Sequence, residues 1–401
     1  MRVRAALAAL LVVLGLGSGA CGSGSATVSQ AASPPVAPTL SPTPTAPPTV
    51  APTPSLTPTQ PSGHFTATGS MVMARDRPTA ALLPDGRVLT TGGSAGDTVA
   101  ELYDPKSGIF GPTGSMVSGR AHHTATLLPD GRVLVAGGWG DIYNAVASAE
   151  LYDPTTRKFV RTGSMASRRA DHTATPLPDG RVLVAGGSNG AVALASAEVY
   201  DPKTGRFIGT GSMSTARMGH TATLLPDGRV LMAGGANRTG VLASAELYDP
   251  RTSAFTPVGT MTDQRWYHTA TLLSDGRVLI AGGYADVYMG GPSSDSAELY
   301  DATASSFSAT GPMADGRTYH TATLLPNGQV LLAGGEARLN GSSSLDSAEV
   351  YDPTKGTFGP TGFMAEARMC HTATLLANGR VLVAGGYSGY ADLASAELYQ
   401  P

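Results

Sequence analysis

Between His123 and Gly138 the chain reads HTATLLPDGRVLVAGG, and two hydrophobic patterns meet inside it. HTATLL alternates threonine with other residues, the period-two signature of a strand with unlike faces. RVLVAGG is a nearly unbroken apolar run, as expected of a strand buried on both faces. PDG between them reads as a tight hairpin turn whose glycine tolerates a positive φ. After a variable loop comes SAELYDP, then a turn such as KTGR, then an aromatic strand such as FIGTGSM from Phe207. The pattern predicts four short antiparallel strands per unit. With 51 Gly and 29 Pro in 401 residues, such turn-rich elements are favoured over long helices.

The unit recurs. Glycine pairs fall at Gly92-Gly93, Gly137-Gly138, Gly186-Gly187, Gly234-Gly235, Gly282-Gly283, Gly334-Gly335 and Gly385-Gly386, at spacings of 45, 49, 48, 48, 52 and 51 residues. A period near 50 is the length of a propeller blade. The array opens at HFTATGSM (His64 to Met71), a fourth strand with no first three before it, and ends at ELYQP (Glu397 to Pro401), a third strand with no fourth after it. Fourth strands carry Phe65, Phe110, Phe159, Phe207, Phe255, Phe307 and Phe358, again seven. The expectation is an all-β, seven-bladed propeller over 64–401 whose last blade is completed by the N-terminal strand, which leaves no orphan sheet edge.

The glycine pair, the tyrosine of ELYDP and the aromatic about seven residues later resemble the kelch repeat, and HTATLLPDGRVLVAGG is similar to the propeller repeats of the galactose oxidase group. The resemblance covers about 64–401. Phe stands where many kelch repeats carry Trp, a change of packing. The resemblance implies a rigid scaffold with two sets of variable loops on one face, and it raises copper chemistry as a possibility to be weighed.

Repetition supplies a control, because catalysis needs a group once and blade packing needs it seven times. Arg75, Arg120, Arg169, Arg217, Arg265, Arg317 and Arg368 occupy one place in every copy, and Glu101, Glu150, Glu198, Glu246, Glu298, Glu349 and Glu397 another. Both fall at the same face, so they are expected to form a structural ring of ion pairs rather than a free anion-binding ring. His123, His172, His220, His268, His320 and His371 also recur, with Pro78 in the first copy, and read as structural. One imidazole per blade around a wide channel does not bring ligands within about 2 Å of one ion. The tyrosines from Tyr103 to Tyr399 read as blade core.

By resemblance, copper would need two tyrosines, two histidines and a cysteine-linked tyrosine. Tyr267-His268, Tyr319-His320 and Cys370 are the residues available. The histidines belong to the repeated set, and the sequence given ends with the propeller, without the C-terminal domain that lends a copper ligand in that group. No metal, cofactor or catalytic residue is therefore assigned.

At the N-terminus, Arg2 and Arg4 precede a short apolar core and the small residues SGAC, which reads as an export signal over 1–21. Ser18-Gly19-Ala20-Cys21 resembles a bacterial lipobox, although Ser18 stands where that pattern prefers an aliphatic residue; Cys21 is the lipidation candidate. Cleavage near Ala20 or Ala26 with full secretion is the alternative. Residues 22–63 form an uncharged Pro/Thr/Ser-rich tether, with eleven prolines between Pro34 and Pro61. A net charge of −3 gives nucleic acid no attractive field. The expected location is the cell envelope or surface, with the membrane touched only through the anchor, and the expected state is a monomer.

The variable positions remain. Loops from the glycine pair to the repeated glutamate contain 7, 11, 10, 10, 14, 13 and 10 residues, and the loops before the inner strand differ around the fixed arginine. The scarce aromatics collect there: Trp139, Tyr143, Trp266, Tyr267, Tyr284, Tyr288, Tyr319, Tyr387 and Tyr390, interleaved with Asp141, Asp263, Asp286, Asp315, Glu336 and Arg338. Rings supply area and carboxylates fix orientation, so this face is expected to bind a protein or glycan ligand. Trp139, Asp141, Tyr143, Trp266, Tyr267, Tyr284, Tyr288, Tyr319, Tyr387 and Tyr390 are the ligand-binding candidates. The rival class is a kelch-type sugar mutarotase or sialic-acid epimerase using paired loop carboxylates as acid and base.

Overall fold

The computed structural model describes residues 63–94, 96–141, 144–285, 292–338 and 342–401. Cys21, the leader and the tether up to Ser62 lie outside the described residues, as do Tyr143, Asp286 and Tyr288. All regular structure among the described residues is β, arranged as seven four-stranded antiparallel sheets with two short ribbons in the loops.

The third blade shows the plan. Its inner strand is Thr173–Pro176, followed by Val182–Ala185, Ala197–Asp201 and the outer Arg206–Gly209. The LPDG turn between the first two is held by Asp179, whose carboxylate accepts the Arg181 backbone N–H at 3.0 Å. Each inner strand lies beside the inner strands of the blades before and after it, and Thr79–Leu82 lies beside Thr372–Leu375, so the ring closes on itself. The last blade takes His64–Ala67 as its outer strand, with Phe65 opposite Tyr399 in an antiparallel register. The chain therefore folds as the seven-bladed propeller that the repeat spacing predicts.

The core lies between blades. Val182–Ala185 is buried along its whole length, which is why this strand is apolar at every position. Leu183, Ala185 and Val199 of one sheet pack on Val230, Met232 and Tyr248 of the next. Fully burying a valine or leucine contributes about 1.5–3 kcal/mol, and the arrangement repeats around the ring. Tyr200 packs its ring 4.8 Å from that of Phe207 and sets its hydroxyl 2.9 Å from that of Thr162 in the preceding blade. A buried tyrosine thereby keeps a partner for its polar end.

Candidate functional site

The loops before the inner strands are clamped by the repeated arginine. Arg217 is fully buried; its Nη1 donates to the carbonyls of Gly234 (2.6 Å) and Ser244 (2.9 Å), and its Nη2 meets Glu246 at 3.0 Å. The second oxygen of Glu246 accepts the backbone N–H of Ser214 at 2.7 Å. The seven Arg–Glu distances run from 2.7 to 3.0 Å, each within one blade. Each of these seven guanidiniums is fully buried with both terminal nitrogens bonded within the blade, so none faces a ligand.

Two residues past that clamp the backbone turns left-handed in every blade. Arg77, His122, Asp171, Gly219, Tyr267, Tyr319 and Cys370 have φ of 56, 53, 54, 57, 53, 53 and 56°. Six are not glycine, and a non-glycine residue held there costs on the order of 1–2 kcal/mol. From His122 to Cys370 their amides are chained around the axis: Asp171 N–H donates to His122 C=O (3.2 Å), Gly219 to Asp171 (3.0 Å), Tyr267 to Gly219 (3.1 Å), Tyr319 to Tyr267 (3.3 Å) and Cys370 to Tyr319 (3.0 Å). This belt supplies the over-determination that such strained backbone requires.

The seven residues line one depression on the propeller axis, about 310 Å³ in volume, with the repeated histidines in its wall. Here the copies stop agreeing. One backbone conformation presents an arginine, a histidine, an aspartate, a glycine, two tyrosines and a cysteine. His122 Nδ1 lies 2.5 Å from Asp171 Oδ1, and the same oxygen accepts the Tyr267 hydroxyl at 3.0 Å. The rings of Tyr267 and Tyr319 stack with centroids 4.3 Å apart, and the Arg77 guanidinium stands 5.2 Å from the Tyr319 centroid. The glycine has its own cause: a Cβ at Gly219 would lie 2.3 Å from Nε1 of Trp266. The indole of the neighbouring blade fills the space a side chain would need.

Protonation follows from burial and neighbours. Burial works to raise the Asp171 carboxyl, but the charge and hydrogen bond of His122, with Arg77 and the Tyr267 hydroxyl, outweigh it and hold it below the usual carboxylate range. Burial pushes the Tyr267 and Tyr319 hydroxyls upward and the Cys370 thiol up to about 12. At neutral pH the depression presents one ionised carboxylate, a guanidinium, two phenols and a protonated thiol.

The aromatic loop residues separate into two groups. Tyr267 and Tyr319 belong to the axial depression. Trp139 and Tyr387 are half-buried, each bridged to a neighbouring loop, while Asp141 is exposed and Tyr390 is 95 % exposed. Trp266 and Tyr284 correct the sequence expectation: at 6 % and 3 % exposure they are interior, packed with Met218, Ala236 and Val241. They pair backbone to backbone across adjacent loops, so their side chains are enclosed by the loop layer. Tyr284 is hydrogen-bonded to the buried Glu336 and covered by Arg338 at 4.7 Å. Asp263 and Asp315 accept from Ser296 (2.5 Å) and Ser347 (2.7 Å) beside the clamping arginines.

Arg77, His122 and Asp171 were not singled out by the sequence reading. The signal lies two residues after the fixed arginine, where the otherwise regular repeat takes almost a different residue in every copy.

Comparison with known proteins agrees with this architecture. The Kelch motif model matches residues 120–166 and 169–214. A solved structure described as a novel fungal alcohol oxidase with catalytic diversity among the AA5 family, in complex with copper, superimposes with a TM-score of 0.72 at 19 % identity, over 84 % of this chain and 76 % of that one. No curated protein matches the sequence. The chain is a seven-bladed propeller carrying kelch motifs, with the fold of that oxidase. Among the described residues both histidines and one tyrosine of the two Tyr-His pairs that the resemblance raises are engaged elsewhere. Nε2 of His268 and His320 lie 3.0 and 2.9 Å from Thr221 and Thr269 hydroxyls, and the Tyr267 hydroxyl is given to Asp171. Among the described residues no three His, Cys, Asp or Glu side chains converge.

Proposed function

We propose that this kelch-repeat propeller is a noncatalytic binding module whose ligand, a carbohydrate, occupies the axial depression of the variable-loop face. One observation carries the reading: seven residues in one strained conformation bring chemically unlike side chains to one small cavity. Stacked phenols beside an ionised carboxylate suit a polyhydroxylated ring, whose apolar face meets an aromatic and whose hydroxyls need acceptors. A volume of about 310 Å³ fits a sugar unit better than a folded protein loop. Trp139, Asp141, Tyr387 and Tyr390 would extend contacts along a longer glycan. The leader, the lipobox-like run ending at Cys21 and the uncharged tether support a chain exported and held at the cell surface.

The test is calorimetric titration of the full mature chain with a panel of mono- and oligosaccharides, repeated with Asp171→Asn and Tyr267→Phe. Saturable binding that weakens in both variants, with melting temperature little changed, is the expected result. Binding indifferent to both would place the ligand elsewhere.

A second reading has one observation of its own. With Nδ1 committed to Asp171, His122 makes no hydrogen bond through Nε2 among the described residues, the arrangement of an oriented general base. A mutarotase or epimerase acting on the bound sugar would use it. Against this stands the carboxylate arrangement: Asp171 alone lines the depression, and its pKa is lowered rather than raised. Polarimetry of freshly dissolved anomers with catalytic amounts of protein separates the two readings.

A further inference from the structure

Among the described residues Arg77 is the one Lys or Arg side chain lining the axial depression, and its protein contacts are poor. Two residues earlier, Arg75 shows how this fold treats a buried guanidinium: it donates to Gly92 C=O, Asp97 and Val99 C=O at 2.9 Å each and to Glu101 at 2.8 Å. Arg77 makes one long contact to a carboxylate, Nη1 to Asp76 Oδ2 at 3.3 Å, and otherwise leans on the Cys370 thiol and the Tyr319 ring. Its Nε has no partner among the described residues, which is equally true of Arg75 and the other clamping arginines, so the difference between them lies at the terminal nitrogens. Only 15 % of the side chain is exposed, so water does little to make up the difference.

The counter-charge is equally incomplete. Asp76 is buried, and its Oδ1 has no partner. Burial raises its pKa against the pull of Arg77 and His122. The carboxylate that lines the depression, Asp171, is already matched by His122 and Tyr267. Of the carboxylate and the guanidinium that line the depression, Asp171 has its partners and Arg77 has one long carboxylate contact, so the spare donors there belong to Arg77. A desolvated cation with spare donors is costly unless an anion completes it.

We infer that the depression is built for an acidic sugar, a monosaccharide unit bearing a carboxylate, whose carboxylate sits on the Arg77 guanidinium while its hydroxyls face Asp171 and His122. The planar fork of arginine matches a carboxylate in two parallel hydrogen bonds. This inference rests on the carbohydrate reading above and narrows it.

The experiment titrates the full mature chain with D-glucuronate and D-galacturonate against D-glucose and D-galactose, with acetate and inorganic phosphate as probes of the anion alone. The acidic sugars should bind at least about tenfold tighter than their neutral counterparts, the scale of one hydrogen-bonded charge pair. The advantage should shrink at high salt. Arg77→Asn, a residue that tolerates left-handed backbone, should erase the advantage, so that acidic and neutral sugars bind the variant alike. Arg77→Lys, with charge but no fork, should retain part of it and serves if Arg77→Asn melts early. Equal affinity for acidic and neutral sugars would overturn the inference and leave the carbohydrate reading standing. Binding of no sugar in either class would remove both. Phosphate binding that depends on Arg77, without any sugar binding, would also overturn the assignment.

Discussion

Nε2 of His268 lies 3.0 Å from the hydroxyl of Thr221, the first residue of the inner strand one blade earlier. The same contact joins His123 to Thr79 (2.8 Å), His172 to Thr124 (3.2 Å), His220 to Thr173 (3.2 Å), His320 to Thr269 (2.9 Å) and His371 to Thr321 (2.9 Å). Six histidines therefore staple neighbouring blades around the axis. The seventh junction lacks the staple: Pro78 stands in the histidine's place, and Thr372 turns to the carbonyl of Ala384 at 3.3 Å.

These staples make stability depend on pH. Burial, assisted by the nearby clamping arginines, pushes His172, His268 and His371 down to about 3, and the other three lie well below the ordinary value. The unfolded chain takes up protons near pH 6.5 while the folded chain does not, so the contribution is complete above that pH and is lost as the pH falls toward 3. Melting temperature should drop steadily between pH 6.5 and 4.5, above the ordinary carboxylate range. His268→Gln should reduce the slope by roughly one proton's worth. A flat profile over that interval would rule out neutral, buried imidazoles.

Two arginines twelve residues apart should behave oppositely. Arg217 is fully buried against Glu246, whereas Arg229 meets Asp227 at the surface with more than a quarter of its side chain exposed. Arg217→Ala strands a buried carboxylate and should cost about 3–5 kcal/mol. Arg229→Ala should cost less than about 1 kcal/mol. Denaturant titration of both variants reads the difference. An Arg217→Ala chain with unchanged melting and lost ligand binding would instead assign the arginines to recognition.

Gly219 provides a test of the belt. A methyl group there meets Nε1 of Trp266 at 2.3 Å and must also adopt φ of 57°. Gly219→Ala should lose about 2–4 kcal/mol from crowding and backbone strain together. Tryptophan fluorescence should shift as the indole moves, over a constant background from Trp139. An unshifted spectrum with full stability would mean that the two blades are not in contact there.

The fold was legible because its determinants repeat. The glycine pair, the ELYDP tyrosine and the apolar second strand answer to packing that every blade shares, so seven copies of one pattern could be read as seven copies of one structure. The site was legible only in part, since its residues share a backbone conformation and not a chemistry. Nothing in ARDRP, GRAHH or RRADH taken singly marks Arg77, His122 or Asp171 as neighbours, because they come together from three consecutive blades. Trp266 and Tyr284 misled for the converse reason. A variable loop is exposed on average, but the aromatic residue at its root is where adjacent loops bury their own small core.

The closure of the ring should be its most easily opened part. Phe65 stacks on Tyr399 with centroids 5.0 Å apart, much as Phe207 stacks on Tyr200 at 4.8 Å, so truncating either removes a similar contact. The chain context differs. Phe207 follows Tyr200 through a short turn, whereas Phe65 comes from the opposite end of the propeller, and that end also lacks a histidine staple. A strand held across so long a loop loses more entropy on pairing than one held by a hairpin. Phe65→Ala and Phe207→Ala should each lower stability, by about 2 kcal/mol or more, but only the first should free the edge of Ala396–Gln400. Hydrogen exchange followed by mass spectrometry should show amides of 396–400 losing protection in Phe65→Ala well below the global transition. In Phe207→Ala the third strand Ala197–Asp201 should stay protected until the whole propeller unfolds. Equal protection of the two strands would mean that the closing strand is held as firmly as any other.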